Sequence, residues 1–419
     1  MIVAILAVCP TTAAPWMSER LSAHESTSSV FVEPRAGDGP VISLLSSAKR
    51  SIRLEVYELT DSGIFNALAE ARKRHVLVQV ILEHHPDGGD RFARIADDQL
   101  RSAGIAVRWA NEAAFTYTHE KAVDIDNRVA GIFTFNLSYS AFSSNREFGV
   151  IDRNPSDAKE IGAIFQADWT RTRAKIPTGD LVVSPVNARS RITSLIESAR
   201  HTLDLYEEEM DDRSIESKLA QAVHRGVKVR LITSDDSSGV DWVRSKGVAV
   251  VLMADPYVHA KAIVADGKTV FIGSENISST SLDRNREMGI ILRDTPAANS
   301  VETTFRSDWK VNRGNTKAPP AGRLTLALDV TLSSVKRYEL LTITAETTPS
   351  ASCTIKVTYP DGYVSRATEL RGARIAGSTG RITWSWHVGS TVTGSADATV
   401  KCRLSAKTAA KSISFSIAK

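Results

Sequence analysis

From residue 41 the chain places apolar side chains at Val41, Leu44, Leu45 and Ala48, the spacing of one helical face. At SIRLEVYEL the period shortens to that of a strand. GIFNALAEARKRH then reads as a second helix and VLVQVILE as a second strand. The same order returns later as RITSLIESAR, TLDLYEEEM, SIESKLAQAVHRG and VKVRLIT. Alternating helices and strands predict an α/β fold with a mostly parallel sheet, and their recurrence predicts two such halves.

The recurrence holds residue by residue. His119, Lys121, Asp126 and Asn136 return at His259, Lys261, Asp266 and Asn276, each 140 positions on. Asn145-Arg146-Glu147 answers Asn285-Arg286-Glu287, and FQADWTRTR answers FRSDWKVNR, at the same shift. Upstream the shift is 151, so the first half holds 11 extra residues, around EHHPDGGDRFARIADDQ. Two such halves suggest a pseudo-twofold pair with related surfaces facing each other. Past NRGNTKAPPAGR the pattern changes to short alternating stretches, LTLALDVTL, CTIKVTY, RITWSWHV and ATVKCRL, which read as a small immunoglobulin-like β-sandwich. The expected boundaries are a signal peptide or tail over 1–27, halves over 28–178 and 179–313, a linker over 314–322 and the sandwich over 323–419.

Composition narrows the class. Apolar residues make up 42% and charged residues 24%, as in soluble globular proteins. No stretch is long and apolar enough for a spanning helix. The terminal stretch from Arg323 carries 13 basic and 6 acidic side chains, so the net charge of +4 comes from there and the repeated part is slightly acidic. A body of that charge does not grip nucleic acid by charge alone. Cys353 and Cys402, 49 positions apart among strands, suit a bridge between the sheets of a sandwich, with two buried thiols as the alternative. With the apolar start MIVAILAV this favours secretion or a periplasmic location, a cytoplasmic one being the alternative.

The repeated motif carries the chemistry. Asp266-Gly267 between strand-like runs is a hairpin signal, as is Asp126-Asn127. A two-residue loop would set Lys261 opposite Ile272 and His259 opposite Ser274. It would put His259, Lys261, Ser274 and Asn276 on one face, and likewise His119, Lys121, Thr134 and Asn136; an odd loop would break that register. Lys, Asn and a hydroxyl suit phosphate oxygens, and His can act as nucleophile, acid or base. Two such sets facing one phosphate would let one His attack phosphorus while the other protonates the leaving alkoxide. Each Lys would stabilise the equatorial oxygens by about 4 kcal/mol at an effective dielectric near 20, before desolvation. No metal and no cofactor are expected there, since a charged Lys cannot ligate and no Cys or carboxylate stands at ligand spacing.

These residues resemble the phospholipase D superfamily, whose signature is a duplicated H-x-K-x4-D followed by G-S-x-N. HAKAIVADGKTVFIGSEN matches completely; HEKAVDIDNRVAGIFTFN has Phe133-Thr134 in place of Gly-Ser. The resemblance covers about residues 28–313 and implies two α/β halves around one shared site. It implies His119 as nucleophile and His259 as general acid and base. Lys121, Lys261, Asn136 and Asn276 would be phosphate ligands, assisted by Thr134 and Ser274. Glu147 and Glu287 would each hold a catalytic His by its other ring nitrogen, and Asp126 and Asp266 would be structural.

The motif does not choose among phosphodiesters. Both copies in one chain, the acidic repeated part and the aromatics Phe115, Tyr117, Phe133, Phe135 and Phe142 favour a phospholipase D acting on phospholipid head groups at a membrane or micelle surface. The alternatives are an endonuclease acting on nucleic acid, a phosphatidyltransferase, and a non-enzymatic surface-binding protein. A monomer is expected. Among other residues, Glu83, His84, His85, Asp87 and Asp90 read as a solvated loop, with a metal or substrate loop as the alternative. Glu209, which answers Glu58, is a candidate for lining the site. Trp169, Trp309, Trp384 and Trp386 read as core.

Overall fold

The computed structural model describes residues 27–418 apart from 87–89, 176, 178, 235, 315–323, 349–350, 377–379 and 405–406. Nearly all of the expected leader and of the expected linker, together with Asp87, lie outside the described residues. No helix among the described residues is long and apolar enough to cross a membrane.

The first half is built on strands β1 (Ser28–Glu33), β2 (Ser51–Val56), β3 (Leu77–Leu82), β4 (Ala106–Trp109), β5 (Lys121–Ile125), β6 (Val129–Phe133) and β7 (Asn145–Asp152), ordered β1-β7-β6-β5-β2-β3-β4. The second half repeats this topology with strands Leu181–Ser184, Glu287–Leu292, Thr269–Gly273, Lys261–Ala265, Thr202–Tyr206, Lys228–Thr233 and Ala249–Leu252 in the same spatial order. The expected mostly parallel sheet is corrected to a mixed one. Among β1 to β7, β2, β3 and β4 run parallel, because helices connect them, and the other pairings are antiparallel; the short connection of β5 to β6 forces one of these.

The helices follow from local chemistry. Asp61 caps Ser62–Lys73 by accepting from the Ile64 amide at 3.0 Å, and Asp212 caps Arg213–His224 in the same way. Each buries one apolar face against its own sheet: Ile64, Ala67, Leu68 and Ala71 in the first helix, and Ile215, Leu219 and Ala222 in the second. A further core joins the halves, with Ile132 and Phe148 from one and Ile232, Val264 and Ile290 from the other.

The C-terminal strands form a three-stranded and a five-stranded sheet sharing one core, in which Trp384 and Trp386 are both fully buried. Cys353 and Cys402 are bonded, but they face each other on neighbouring strands of the same sheet. The expected intersheet bridge is therefore corrected, and this departs from the immunoglobulin pattern, whose bridge joins two sheets. The terminal unit docks on the first half. The Arg381 guanidinium donates two 2.7 Å bonds to Glu58, and the Thr60 hydroxyl donates to Asp329 at 3.0 Å.

Candidate active site

The hairpin turns form where the sequence places them, but the register differs. Asp126 and Asn127, and Asp266 and Gly267, all have positive φ, as a tight primed turn requires. The Arg128 amide closes one turn on Ile125 and the Lys268 amide closes the other on Ala265, both at 3.0 Å. Pairing resumes one residue later, Ile125 opposite Val129 and Ala265 opposite Thr269, so Arg128 and Lys268 are extra residues of a bulge. Lys261 consequently faces Gly273, not Ile272. The shared hairpin face expected for His259 and Ser274 does not exist.

What brings the residues together is an exchange between halves. Tyr257–Val258 pairs with Asn145 and Arg146 of β7, and Thr118 bridges to Arg286. Each His therefore lies beyond its own hairpin, on a segment held by the other half's Asn-Arg-Glu strand. The His119 amide donates to the Arg286 carbonyl at 2.8 Å, and the His259 amide to that of Arg146 at 3.3 Å.

The Glu side chains complete the exchange. His119 Nδ1 lies 2.9 and 3.1 Å from the two Glu287 oxygens, and His259 Nδ1 lies 2.6 Å from Glu147. Both carboxylates are fully buried. Glu287 also accepts from Ser281 at 2.7 Å and from Asn285 at 3.0 Å, while Glu147 accepts from the Thr134 hydroxyl at 2.5 Å. The Arg of each triplet crosses as well: Arg146 pairs with Asp308 at 2.7 Å and Arg286 with Asp168 at 2.8 Å. The repeated Asn-Arg-Glu and Asp-Trp thus serve one symmetric interface.

This reassigns two residues. Thr134 and Ser274 are fully buried, and their hydroxyls accept the Phe148 and Met288 amides at 3.0 and 3.1 Å. They position the Glu strand; they do not face a phosphate. Asn136 and Asn276 remain candidates, since the side-chain NH2 of each can donate to a phosphate oxygen; the carbonyl oxygen of each is buried with no hydrogen-bond partner among the described contacts. Asp126 and Asp266 each accept three amides at 2.7–2.9 Å, from Lys49, Arg50 and Ser51 and from Arg200, His201 and Thr202. Burial raises both carboxyls, but those bonds hold them below their ordinary value.

The two half-sites differ. Lys121 and Lys261 are buried and donate to the carbonyls of His119 and His259 at 2.6 and 2.5 Å. Lys261 also donates to Glu208, whose carboxylate stands 3.5 Å from His259 Nε2. The matching residue in the first half is Tyr57, whose ring lies edge-on to His119 at 4.7 Å and 5.2 Å from the Lys121 ammonium. Burial, countered by Glu287, pushes Lys121 down to about 7. Burial lowers Lys261 too, but Glu208 and Glu147 outweigh it and raise this group. His119 is lowered, first by burial and then by Lys121 and Lys261 against Glu287, which favours a neutral ring. Burial raises Glu208, yet His259 and Lys261 hold it down at about 2. Lys261 acts on His119 from across the halves, so the two sets form one electrostatic site.

Tyr57, Glu208 and Ser281, which the other half does not repeat, belong to this site, as does Asn285 of the repeated triplet. Glu209, the expected lining residue, hydrogen-bonds Ser278, and Glu58 is committed to Arg381. The aromatic mouth is also corrected. Phe133, Phe135 and Phe142 are buried in the first core, and Phe115 lies under the Arg286 guanidinium at 4.2 Å, leaving Tyr117 exposed.

A duplicated fold whose halves trade the carboxylates that hold two histidines beside two lysines defines a phosphodiester-processing site. The family described as cardiolipin synthase, PLD-like domain, matches residues 41–169 and 192–309, more than half of the chain. The chain belongs to this family, and so is a phospholipase D superfamily enzyme acting on phosphodiester bonds. It is 20% identical over 326 residues to cardiolipin synthase of Oceanobacillus iheyensis, covering 67% of this chain and 68% of that one. It is 22% identical over 376 residues to cardiolipin synthase A of Pseudomonas syringae pv. syringae, covering 71% and 76%. It is 31% identical over 130 residues to mitochondrial cardiolipin hydrolase of Xenopus tropicalis, covering 30% and 62%. Among solved structures, phosphatidylserine synthase of Haemophilus influenzae superposes with a TM-score of 0.52 at 11% identity, covering 70% of this chain and 87% of that one. Polyphosphate kinase of Porphyromonas gingivalis superposes at 0.54 and 18% identity over 67% of this chain and half of the kinase.

Proposed function

We propose that the chain is a phosphatidyltransferase of the cardiolipin-synthase kind. Neutral His119 attacks phosphorus of a phospholipid, the phosphorus–oxygen bond to the head-group alcohol breaks, and a phosphatidyl-His119 intermediate forms. His259 gives the departing alkoxide a proton, then takes one from the hydroxyl of an acceptor lipid, which attacks phosphorus and frees His119. Lys121, Lys261, Asn136 and Asn276 hold the phosphate oxygens. Glu287 and Glu147 fix the ring each histidine presents.

The observation that carries this chemistry is the crosswise His119–Glu287 and His259–Glu147 pairing around two buried lysines. Carboxylates at both ring nitrogens of His259 suit it to donate from Nε2, whereas His119 has an aromatic neighbour, Tyr57, and no second carboxylate at hydrogen-bond distance among the described contacts. Transfer, not hydrolysis, is supported by the cardiolipin synthases, which match over about two thirds or more of both chains. Hydrolysis of a phospholipid to phosphatidic acid is the second reading, supported by the shorter match to the hydrolase. Both half-sites lie in one chain, so a monomer suffices.

Vesicles of phosphatidylglycerol, analysed by mass spectrometry after incubation, test the reading. Diphosphatidylglycerol with released glycerol is expected. Phosphatidic acid as the sole product would replace transfer by hydrolysis, and nicking of plasmid DNA without any lipid product would overturn both.

A further inference from the structure

Outside the catalytic centre, two groups of three metal-capable side chains lie together among the described residues. Glu55, Glu120 and Asp168 are buried, and their charge is answered by Arg286. His84, His85 and Glu112 are different, because two imidazoles and one carboxylate meet at the surface of the first half.

We propose that His84, His85 and Glu112 form a binding site for a zinc-class divalent ion. A tetrahedral ion with bonds of about 2.0–2.1 Å sets its donor atoms about 3.3–3.4 Å apart. His84 Nδ1 lies 3.0 Å and His85 Nε2 3.5 Å from the same Glu112 oxygen, and all three donors lie within 4.8 Å of one another. The other nitrogen of His85 stands 2.8 Å from Asp90, the carboxylate that orients a metal-binding imidazole and sets which nitrogen is free to ligate. The His84 ring is fixed from behind by Trp109, with ring centroids 4.7 Å apart. Nitrogen donors select zinc and its transition-metal neighbours over magnesium or calcium.

The placement gives the ion a task. β3 and β4 are parallel neighbours, so His84-His85 after β3 and Glu112 after β4 leave from the same edge of the sheet. Glu83 accepts the Thr118 amide at 2.7 Å and the His85 amide at 2.9 Å. Thr118 immediately precedes His119. An ion drawing the β3 and β4 loops together therefore braces, through Glu83, the segment that presents the histidine. It touches no reacting atom, and its role is to position.

The test uses the full chain carrying His119→Ala and His259→Ala, so that the catalytic pair cannot hold metal. After chelator treatment and dialysis, zinc sulfate is titrated by calorimetry and thermal unfolding is followed in parallel. One saturable zinc per chain and a raised melting temperature are expected, with no such effect of magnesium. Asp90→Asn should weaken binding roughly 10-fold, and His85→Ala with Glu112→Ala should abolish it while the circular dichroism spectrum is kept. Absence of saturable binding overturns the proposal, as does an unchanged stoichiometry in the double variant.

Discussion

At the residue scale, the asymmetry of Tyr57 and Glu208 decides how the two His-Lys motifs divide their labour. Lys121, which lacks the direct carboxylate pair that Glu208 gives Lys261, is pushed down to about 7, so it keeps its charge below that pH and loses it above. An uncharged Lys121 holds a phosphate poorly, and kcat/KM reports groups of the free enzyme. The alkaline limb of kcat/KM is therefore expected near pH 7, far below the ordinary lysine value. Glu208 is one of the carboxylates that hold Lys121 up. Glu208→Gln should move that limb to lower pH, whereas Glu208→Asp should largely keep it; a limb indifferent to both changes would detach Lys121 from catalysis. The sequence makes the four motif residues plain because they recur at one spacing. Glu208 is hidden by the same logic: its counterpart is a tyrosine, and the carboxylates that do recur are Glu58 and Glu209.

At the element scale, the hairpins show what local pattern can and cannot specify. Asp-Asn and Asp-Gly are legible as turns because both positions need positive φ. The bulge after each turn is not legible, because Arg128 and Lys268 carry no chemistry that marks an unpaired residue, and one extra residue reverses every face beyond it. The convergence of the histidines arises from strand exchange between halves, contacts between residues as distant in sequence as His119 and Glu287 that no short-range pattern encodes. The motif aspartates tie the turns to the amides that open the neighbouring strand. Asp126→Ala leaves those amides without their acceptor and should lower stability by about 2–3 kcal/mol. Urea unfolding measures this, and a change below about 0.5 kcal/mol would show that water replaces the carboxylate.

At the scale of the whole molecule, the halves and the terminal β unit form a chain of supports. Repetition and alternation reveal two α/β halves and a β-rich end, and the alternating C-terminal strands reveal Trp384 and Trp386 as core. The docking of the terminal unit on Glu58 is invisible in the sequence, since a lone Arg381 looks like any surface arginine. Glu58 follows Tyr57, so this contact braces the segment after β2 that packs on His119. Arg381→Ala leaves the Glu58 carboxylate buried beside Asp329, itself pushed up to about 8 by burial and by Glu58. Loss of one partner of such a pair costs about 3–5 kcal/mol, so a lower first melting transition and faster proteolysis of the terminal unit are expected; unchanged melting would mean that the two parts are energetically independent. The central claim concerns His119 alone. Phospholipid carrying a radiolabelled phosphorus, mixed rapidly with enzyme and quenched in alkali, should leave label bound to the intact protein and on the peptide containing His119, and none on His119→Ala. Equal labelling of His119→Ala, or turnover of lipid by wild-type protein with no labelled peptide under any quench time, would contradict it.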